Sequence, residues 1–292
     1  MTGKECAKYI LKKINSLDRR VPQIKPLEET VDYICEHKVS VSRFGDGEFK
    51  WVYGFRQNSF QRQSRPLSKR LRQVLHEPVD NHILCIPEGA FRLDMYTPEA
   101  RAWWENFDGK YRILWNNLFD MRRQYYSLYI SRPYLDMREK EKAGERFAYI
   151  SRIWDGKSVL IVEGEKTRLG VHNDLFRTCG RIRRILCPPV NAFTYYDEIL
   201  HEILARVEPV DLVIIALGPT ATILAYDCAR LGIQAIDIGH IDIEYEWYKM
   251  GAVDKVAVKG KYVNEAGDGL RPLVIDTPDD PDYSRQIIAQ IP

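Results

Sequence analysis

The feature of this chain that most constrains its fold is a set of short apolar runs in which hydrophobic and polar residues do not alternate. Residues 159–162 (VLIV) and 212–217 (LVIIAL) are apolar at every position. Because successive side chains of a strand point to opposite faces of a sheet, such runs indicate strands covered on both faces, as in parallel sheets. These two belong to six short apolar, β-branched runs, each ending in polar, Gly or Pro residues: "KVSVSRF" (38–44), "HILCIPE" (82–88), "SVLIVEGE" (158–165), "IRRILCP" (182–188), "DLVIIALG" (211–218) and "QAIDIGH" (234–240).

Segments with helical spacing lie between these runs. The clearest are "NDLFRTCGRI" (173–182), "NAFTYYDEILHEILARV" (191–207) and "PTATILAYDCARLG" (219–232). Alternating strands and helices predict an α/β fold with a Rossmann-like, doubly wound, mostly parallel sheet. We expect one domain over 1–292, with a helical insertion at about 96–155 where Trp, Tyr, Arg and Glu are frequent.

The C-terminal part has a different character. The segment "KVAVKGKYVNEA" (255–266) is typical of a last strand or hairpin. The following residues are rich in Pro and Asp, and we expect a loosely held C-terminal arm over about 265–292.

Composition excludes several classes of protein. The net charge of the 292 residues is +2, which gives no bulk electrostatic argument for nucleic acid as a partner. No apolar run is long enough to span a bilayer. The six cysteines form no C-x-x-C pair, as expected for reduced thiols. We therefore expect a cytoplasmic protein, with peripheral attachment to the inner membrane face and homo-oligomerisation left open.

Ligands of open parallel sheets bind beyond the carboxyl ends of the strands, so the residues after each run are candidates. The first run leads into Arg43-Phe-Gly45-Asp46-Gly-Glu48. Two carboxylates two positions apart on such a turn could bind one divalent cation. A β-turn followed by a helix whose first turn favours acids explains the same residues.

Three further strand ends carry candidates for binding a phosphorylated ligand. Lys166, Thr167 and Arg168 precede a predicted helix N-terminus, which suits an anion, although a solvated charged loop has the same composition. Gly218, Pro219 and Thr220 follow a buried strand, where a glycine lets a phosphate or nucleoside approach the backbone; an ordinary strand–helix connection is equally consistent. Asn191 follows the fourth run.

The fourth candidate segment is "GHIDIEYEW", in which four ionisable residues alternate with apolar or aromatic ones: His240, Asp242, Glu244 and Glu246. If the segment is extended, all four side chains face one side. If it is helical, His240 pairs with Glu244 and Asp242 with Glu246, each at i and i+4. Either arrangement gathers titratable groups beyond a strand end, where a general base or metal ligand would stand.

Together these elements suggest a ligand with phosphates, a divalent ion and a polar reacting group, which a nucleotide-sugar satisfies. Two other interpretations remain open. One is a metal-dependent phosphatase or nucleotide hydrolase that uses Asp46 and Glu48. The other is a module that binds a nucleotide without turnover.

The same residues give the chain a resemblance to a known family. It resembles the GT-D type glycosyltransferases of bacterial surface-glycan and adhesin-glycosylation loci, through the stretches "RFGDGEF", "VEGEKTRLGVHNDLF", "CPPVNAFTYYDEI", "IALGPTATILAYDCARLG" and "QAIDIGHIDIEYEW". The resemblance implies a Rossmann-like fold, a UDP-sugar donor, and a divalent metal, Mn²⁺ or Mg²⁺, held by a D-x-E motif. Here that motif is Asp46-Gly47-Glu48, and His172 stands where the family pattern has glycine.

The resemblance further implies transfer of a hexose, glucose or galactose, to a glycan acceptor that is a glycoprotein or lipid-linked glycan. Among the four residues of the last stretch, we expect Glu246 to be the general base, with Glu244 next.

Overall fold

The computed structural model describes residues 3–55, 57, 60–89, 91–263, 265–266 and 280–292; for residues 3 and 4 it describes the backbone alone. The strands in these ranges are β1 (Gln23–Lys25), β2 (Ser40–Arg43), β3 (His82–Ile86), β4 (Gln124–Ser127), β5 (Ser158–Gly164), β6 (Arg181–Cys187), β7 (Leu212–Ala216), β8 (Ala235–Asp237) and β9 (Ile287–Gln290).

The α-helices of the described residues are α1 (Gly3–Asn15), α2 (Leu27–His37), α3 (Asp46–Tyr53), α4 (Arg65–His76), α5 (Pro98–Asn116), α6 (Ala143–Ser151), α7 (Tyr196–Arg206), α8 (Pro219–Arg230), α9 (Ile241–Met250) and α10 (Pro281–Gln286). Short 3₁₀ turns lie at Leu93–Met95, Leu128–Ile130, Lys140–Lys142 and Ala192–Tyr195. None of these helices is long and apolar enough to cross a membrane.

The strands form one sheet in the order β1-β4-β3-β2-β8-β7-β5-β6-β9, and every neighbouring pair is parallel. This confirms the predicted α/β fold with a doubly wound parallel sheet. The six apolar runs are β2, β3, β5, β6, β7 and β8, as predicted. The direction in which successive strands are added to the sheet reverses beside β8. The carboxyl ends of β2, β8, β7 and β5 lie next to one another at this point. An open α/β sheet binds its ligand at such a reversal.

Both faces of the sheet are buried, as the unbroken apolar runs predicted. On β5, Val159 and Ile161 belong to one buried cluster, while Leu160 and Val162 belong to another. Strand β7 divides its side chains between the same two clusters. Helix α8 is buried along most of its length between the sheet and α4. The rigid sheet therefore fixes the positions of the loops that follow its strands.

Several predictions about local structure are wrong. Residues 173–180 form turns and not a helix, and the described residues of 255–266 form no strand. Within 96–155 the chain forms α5, α6 and two 3₁₀ turns, and it also contributes β4 to the sheet; whether this range is an insertion stays a prediction. The described end of the C-terminal arm is not loosely held, since α10 packs on β6 and β9 pairs with β6. The rest of that arm, 267–279, lies outside the described residues.

Candidate functional site

A cleft lies over the carboxyl ends of β2, β8, β7, β5 and β6, and it encloses about 760 Å³ including its open mouth. Its lining combines a few polar groups with a largely apolar wall. The lining residues are Arg43, Phe60, Gly164, Thr167, Leu169, Pro188, Pro189, Ala192, Ala216, Leu217, Gly218, Gly239, His240, Asp242, Ile243 and Tyr262. Five predicted site residues, from four different loops, therefore meet in one cleft: Arg43, Thr167, Gly218, His240 and Asp242.

Arg43 is the cation of the cleft floor, and three contacts fix its guanidinium. Nε and Nη2 donate to Oδ1 of Asp237 at 3.0 and 2.9 Å, and Nη1 donates to the hydroxyl of Ser131 at 2.8 Å. The carboxylate of Asp237 also accepts a hydrogen bond from Thr222. Gly239 has φ +53°, and a Cβ at that position would overlap the guanidinium. Because Gly239 has no side chain, there is room beside its backbone for the guanidinium of Arg43.

Helix α9 decides between the two arrangements that the sequence left open, because Ile241–Met250 is helical. Asp242 and Glu246 then share a face and a counter-ion, Lys261. The ammonium of Lys261 lies 2.7 Å from Oδ2 of Asp242 and 2.9 Å from Oε1 of Glu246. Asn173 donates to both carboxylates, at 2.8 and 2.7 Å, and the N–H of Gly170 donates to Asp242 at 2.9 Å. The chain from 170 to 173 is thereby tied to α9.

Accessibility separates the three acids of α9. The side chains of Asp242 and Glu244 are 1% and 0% exposed, whereas that of Glu246 is 17% exposed. Asp242 lines the cleft wall. Glu246 lies one helical turn further along α9 and does not line the cleft.

Glu244 points away from the cleft and binds the loop after β4. Its Oε2 accepts the N–H groups of Tyr134 and Leu135 at 3.0 and 2.9 Å. Burial raises the pKa of Glu244 to about 7, and the nearest guanidinium, that of Arg132, remains 4.0 Å away. This geometry suits a residue that orders the loop, and its predicted role as a base stays a prediction.

His240 lies in the cleft wall beside a partly exposed ion-pair cluster of Arg132, Glu265 and Lys255. Burial lowers the pKa of His240 to about 4, so the imidazole is neutral at pH 7 and can accept a proton. Its Nε2 is 3.8 Å from Glu265. Burial alone would raise the pKa of Glu265, but the ion pair with Arg132 and the nearby charges hold it well below its usual range.

Asp46 and Glu48 occupy the first turn of α3, directly after Gly45. The Oε2 of Glu48 accepts the N–H of Gly45 at 2.9 Å, and burial raises the pKa of Glu48 to about 6. Asp46 is 38% exposed and pairs with Lys50 at 2.5 Å. Both acids therefore lie in the first turn of a helix, which is one of the two interpretations given above for these residues. Their role as metal ligands stays a prediction.

The loop after β5 differs from its prediction, because no helix N-terminus follows Lys166, Thr167 and Arg168. Thr167 lines the cleft, Lys166 is exposed, and Arg168 is buried with its guanidinium over the ring of Tyr283. His172, where the family pattern has glycine, has φ +63°. A left-handed backbone favours glycine there.

The remaining predicted binding residues frame the far side of the cleft. Gly218 has φ +55° and faces the ring of Phe60, which a Cβ would overlap. Pro219 and Thr220 begin α8 and are buried, and the hydroxyl of Thr220 has no hydrogen-bond partner within the described part of the chain. The side chain of Asn191 accepts the N–H of Arg62 at 2.8 Å. Asn191 therefore helps to place the segment that carries Phe60.

The family comparison agrees with this geometry. The model of the family described as "Glycosyltransferase GT-D fold" matches residues 41–266. The chain belongs to the GT-D glycosyltransferase family. The match contains every predicted site residue, from Arg43 to Glu246.

Named relatives and solved structures of the GT-D family resemble the chain along most of its length. "Glycosyltransferase GlyD" of Streptococcus pneumoniae serotype 4 is 36% identical over 270 residues, 92% of this chain and 32% of the relative. "Probable glycosyl transferase Gly" of Streptococcus gordonii is 35% identical over 280 residues, 94% of this chain and 39% of the relative. The chain thus spans 32% and 39% of the length of these two curated relatives.

Two solved structures support the same assignment. One, described as a highly conserved domain of unknown function 1792 with a distinct glycosyltransferase fold, has a TM-score of 0.87 and 38% identity, over 98% of this chain and 100% of that chain. Another, described as a new glycosyltransferase from Streptococcus sanguinis, has a TM-score of 0.85 and 35% identity, over 93% and 100% of the two chains.

Sequence reasoning missed several residues that build this GT-D cleft: Asp237, Ser131, Lys261, Glu265 and Arg132. Asp237 did carry a signal, since an acid inside the apolar run "AIDI" needs a buried partner. Lys261 and Glu265 lie in 255–266, whose pattern indicated a last strand or hairpin and gave no sign of their ionic partners.

Proposed function

We propose that this GT-D chain is a metal-dependent glycosyltransferase that moves a hexose, glucose or galactose, from a UDP-sugar to a glycan acceptor. The observation that carries the proposal is the convergence of Arg43, Thr167 and Gly218 in one cleft, with Arg43 three residues before Asp46, the first residue of α3. A bacterial surface polysaccharide or glycoprotein as acceptor, and a cytoplasmic location, belong to the same proposal.

The cleft offers different surroundings for the two ends of a nucleoside diphosphate. Phe60, Pro188, Pro189 and Tyr262 give an apolar and aromatic wall that suits a nucleobase. Arg43 lies on the floor with its guanidinium held by Asp237 and Ser131, so it loses little conformational freedom when it binds an anion. We place the diphosphate against Arg43 and Thr167, with Lys166 near the mouth.

The two acids of α3 can hold a divalent ion if substrate phosphates and water complete its coordination. Among the described residues, no group of three or more His, Cys, Asp or Glu side chains is arranged to hold a metal. Magnesium-like ions are commonly held by one or two carboxylates and complete their coordination with substrate phosphates and water. Asp46 and Glu48 are therefore suited to Mn²⁺ or Mg²⁺ that arrives with the donor. When bound, the ion would neutralise charge that develops on the departing diphosphate.

We propose Glu246 as the base that accepts the proton of the acceptor hydroxyl. It is the most exposed of the three acids on α9, and Lys261 and Asn173 hold its carboxylate in a fixed orientation. His240 is the alternative, because it lines the cleft and is neutral at pH 7. Asp242 and Glu244 are better placed to position α9 and the loop after β4.

A donor screen tests the proposal. The chain is incubated with Mn²⁺ and a panel of UDP-, GDP-, TDP- and CMP-sugars, and nucleotide release is measured with and without EDTA. We expect release of UDP from a UDP-hexose, and its loss with EDTA or in Asp46→Asn. Phosphate release from simple esters would indicate a hydrolase instead, and UDP binding without turnover would indicate a binding module.

A matched control separates metal binding from helix stabilisation. Asp197 is an exposed acid in the first turn of α7, so Asp197→Asn removes the same favourable interaction with a helix dipole, about 0.3–1 kcal/mol. Both variants should lose similar stability, but Asp197→Asn should keep its turnover. Equal turnover in the two variants would refute the role of Asp46.

A further inference from the structure

Positive charge is concentrated in one stretch of the sequence. Between Glu48 and Glu77 there are seven Lys or Arg residues and no Asp or Glu. The whole chain has a net charge of only +2, so the residues outside this stretch are net negative. Because the stretch contains α4 and the segment that leads into it, the charge of the protein is polarised towards α4.

Helix α4 turns its basic residues towards solvent. Four of them stand at i, i+4, i+7 and i+11 and therefore lie on one line along the helix: Arg65, Lys69, Arg72 and His76. All four are exposed, whereas the leucines and Val74 of α4 are buried on the opposite side. We call this line the basic stripe, and its length is about 16 Å.

The basic stripe lacks counter-ions. Two other cations of the same stretch, Lys50 and Arg70, form ion pairs with acids. Within the part of the chain that the structure describes, no carboxylate forms an ion pair with the stripe. Arg72 donates to the carbonyl of Val52 at 2.8 Å and lies over the ring of Tyr53. These contacts fix its guanidinium without neutralising its charge.

The surroundings of the stripe argue against a folded protein as its partner. Interfaces between proteins have an apolar core in which lysine is rare. Among the described residues from 22 to 102, no large apolar side chain is exposed. A second copy of the chain, packed stripe to stripe, would bring like charges together. The stripe is thus suited to a partner that is recognised through negative charge.

A planar anionic surface fits this charge distribution better than a long polyanion does. A polyanion would extend past the stripe and meet the net negative remainder of the chain, whereas a plane touches one face only. An open depression of about 1000 Å³, lined in part by Lys69, Arg72 and His76, leaves room for phosphate groups. The helix also begins beside the cleft, since Phe60 lines the cleft four residues before Ser64, the N-cap of α4.

We propose that the basic stripe docks the protein on a lipid bilayer that contains anionic headgroups. The cations contact the headgroup phosphates, and no apolar side chain enters the acyl region. The mouth of the cleft then lies close to the surface, where a lipid-linked acceptor is within reach. The docking itself depends on neither the donor nor the metal proposed above.

Vesicle sedimentation of the full chain at low ionic strength tests the proposal. Three cations of the stripe and the exposed Arg62 before it should give half-maximal binding at on the order of 1 mM accessible lipid. We expect sedimentation with vesicles of phosphatidylcholine and phosphatidylglycerol, none with phosphatidylcholine alone, and release by sodium chloride. Arg65→Ala/Lys69→Ala should weaken binding about 30-fold. Arg65→Lys/Lys69→Arg keeps both charges and should bind like the native chain.

The matched control removes two exposed cations outside this stretch, Arg181→Ala/Lys259→Ala, and it should bind like the native chain. Circular dichroism confirms that each variant is folded. Absence of sedimentation with anionic vesicles, or equal weakening in the control, would overturn the proposal. So would displacement from the vesicles by single-stranded DNA at a phosphate concentration below that of the anionic lipid, since a polyanion would then be the better partner.

Discussion

Replacing Lys261 with Met should destabilise the protein strongly. The side chain of Lys261 is 2% exposed, and its ammonium forms ion pairs with two carboxylates, those of Asp242 and Glu246. The substitution keeps the length of the side chain but leaves Asp242, which is 1% exposed, without its counter-ion. Removing one partner of a buried ion pair costs about 3–5 kcal/mol. For a chain of this size we expect the melting temperature to fall by on the order of 10 °C.

Urea unfolding at neutral pH measures the effect. The matched control is Lys259→Met, because Lys259 is an exposed lysine two positions earlier. A double variant, Lys261→Met with Asp242→Asn, removes the uncompensated charge and should recover roughly 1 kcal/mol or more relative to the sum of the single changes. If Lys261→Met were as stable as the control, or if the two changes were additive, the ion pair would not hold α9 as we argue.

Three other perturbations test separate parts of the structure. Gly239→Ala should lower donor affinity, because its Cβ would displace the guanidinium of Arg43. The control is Gly232→Ala, where φ is +78° and the space is open, so this variant should lose only about 1–2 kcal/mol through backbone strain. Donor KM and the free energy of unfolding distinguish the two variants. Burial raises the pKa of Glu244 from its ordinary 4.5 to about 7, so the stability that it contributes is full below about pH 4.5 and is lost as the pH rises through about 7. Glu244→Gln should therefore gain stability relative to the native chain across that window, which urea unfolding at both ends would show. Tyr283→Ala should lower the free energy of unfolding by about 3 kcal/mol. Tyr283→Phe should lower it little, because the ring keeps its contacts with two arginines and the buried hydroxyl that is removed has no hydrogen-bond partner in the described residues. Thermal unfolding of both variants checks this.

The sequence predicted the strands well where burial alone determines them. A strand covered on both faces is rich in apolar residues at successive positions, and this is visible at 159–162 of β5 and along β7 without any knowledge of their neighbours. The strands that were missed, β1, β4 and β9, have three or four residues and contain Gln, Lys or Ser. Their pairing depends on chain segments far away in sequence, such as β9 with β6.

The sequence predicted where the candidate site lies better than it predicted which side chains contact one another there. Strand ends identified Arg43, Thr167 and Asp242, because a parallel sheet brings its carboxyl ends to one edge. The partner of Arg43 is 194 positions away, and no local pattern encodes such a pair. The helix expected after Arg168 was wrong because turn contacts to α9, made through Asn173, replace helical hydrogen bonds in that loop.

The distribution of counter-ions gives a physical reason to place a metal at α3. Most acids at this edge of the sheet have a cation close by: Glu163 has Arg184, Asp237 has Arg43, and Asp242 has Lys261. Glu48 and Glu88 differ, since the described residues place no Lys, Arg or His nitrogen within 4.0 Å of either carboxylate; Glu88 is 4% exposed.

Burial raises the pKa of both Glu48 and Glu244, which means that each carboxylate is incompletely compensated by its surroundings. Glu244 is fully enclosed, so no ion can reach it from solvent. Glu48 is partly exposed and stands beside Asp46, which is accessible as well. An added cation would therefore gain more at Asp46 and Glu48 than at Glu244, and it would there lower the pKa of Glu48 and compete with Lys50 for Asp46.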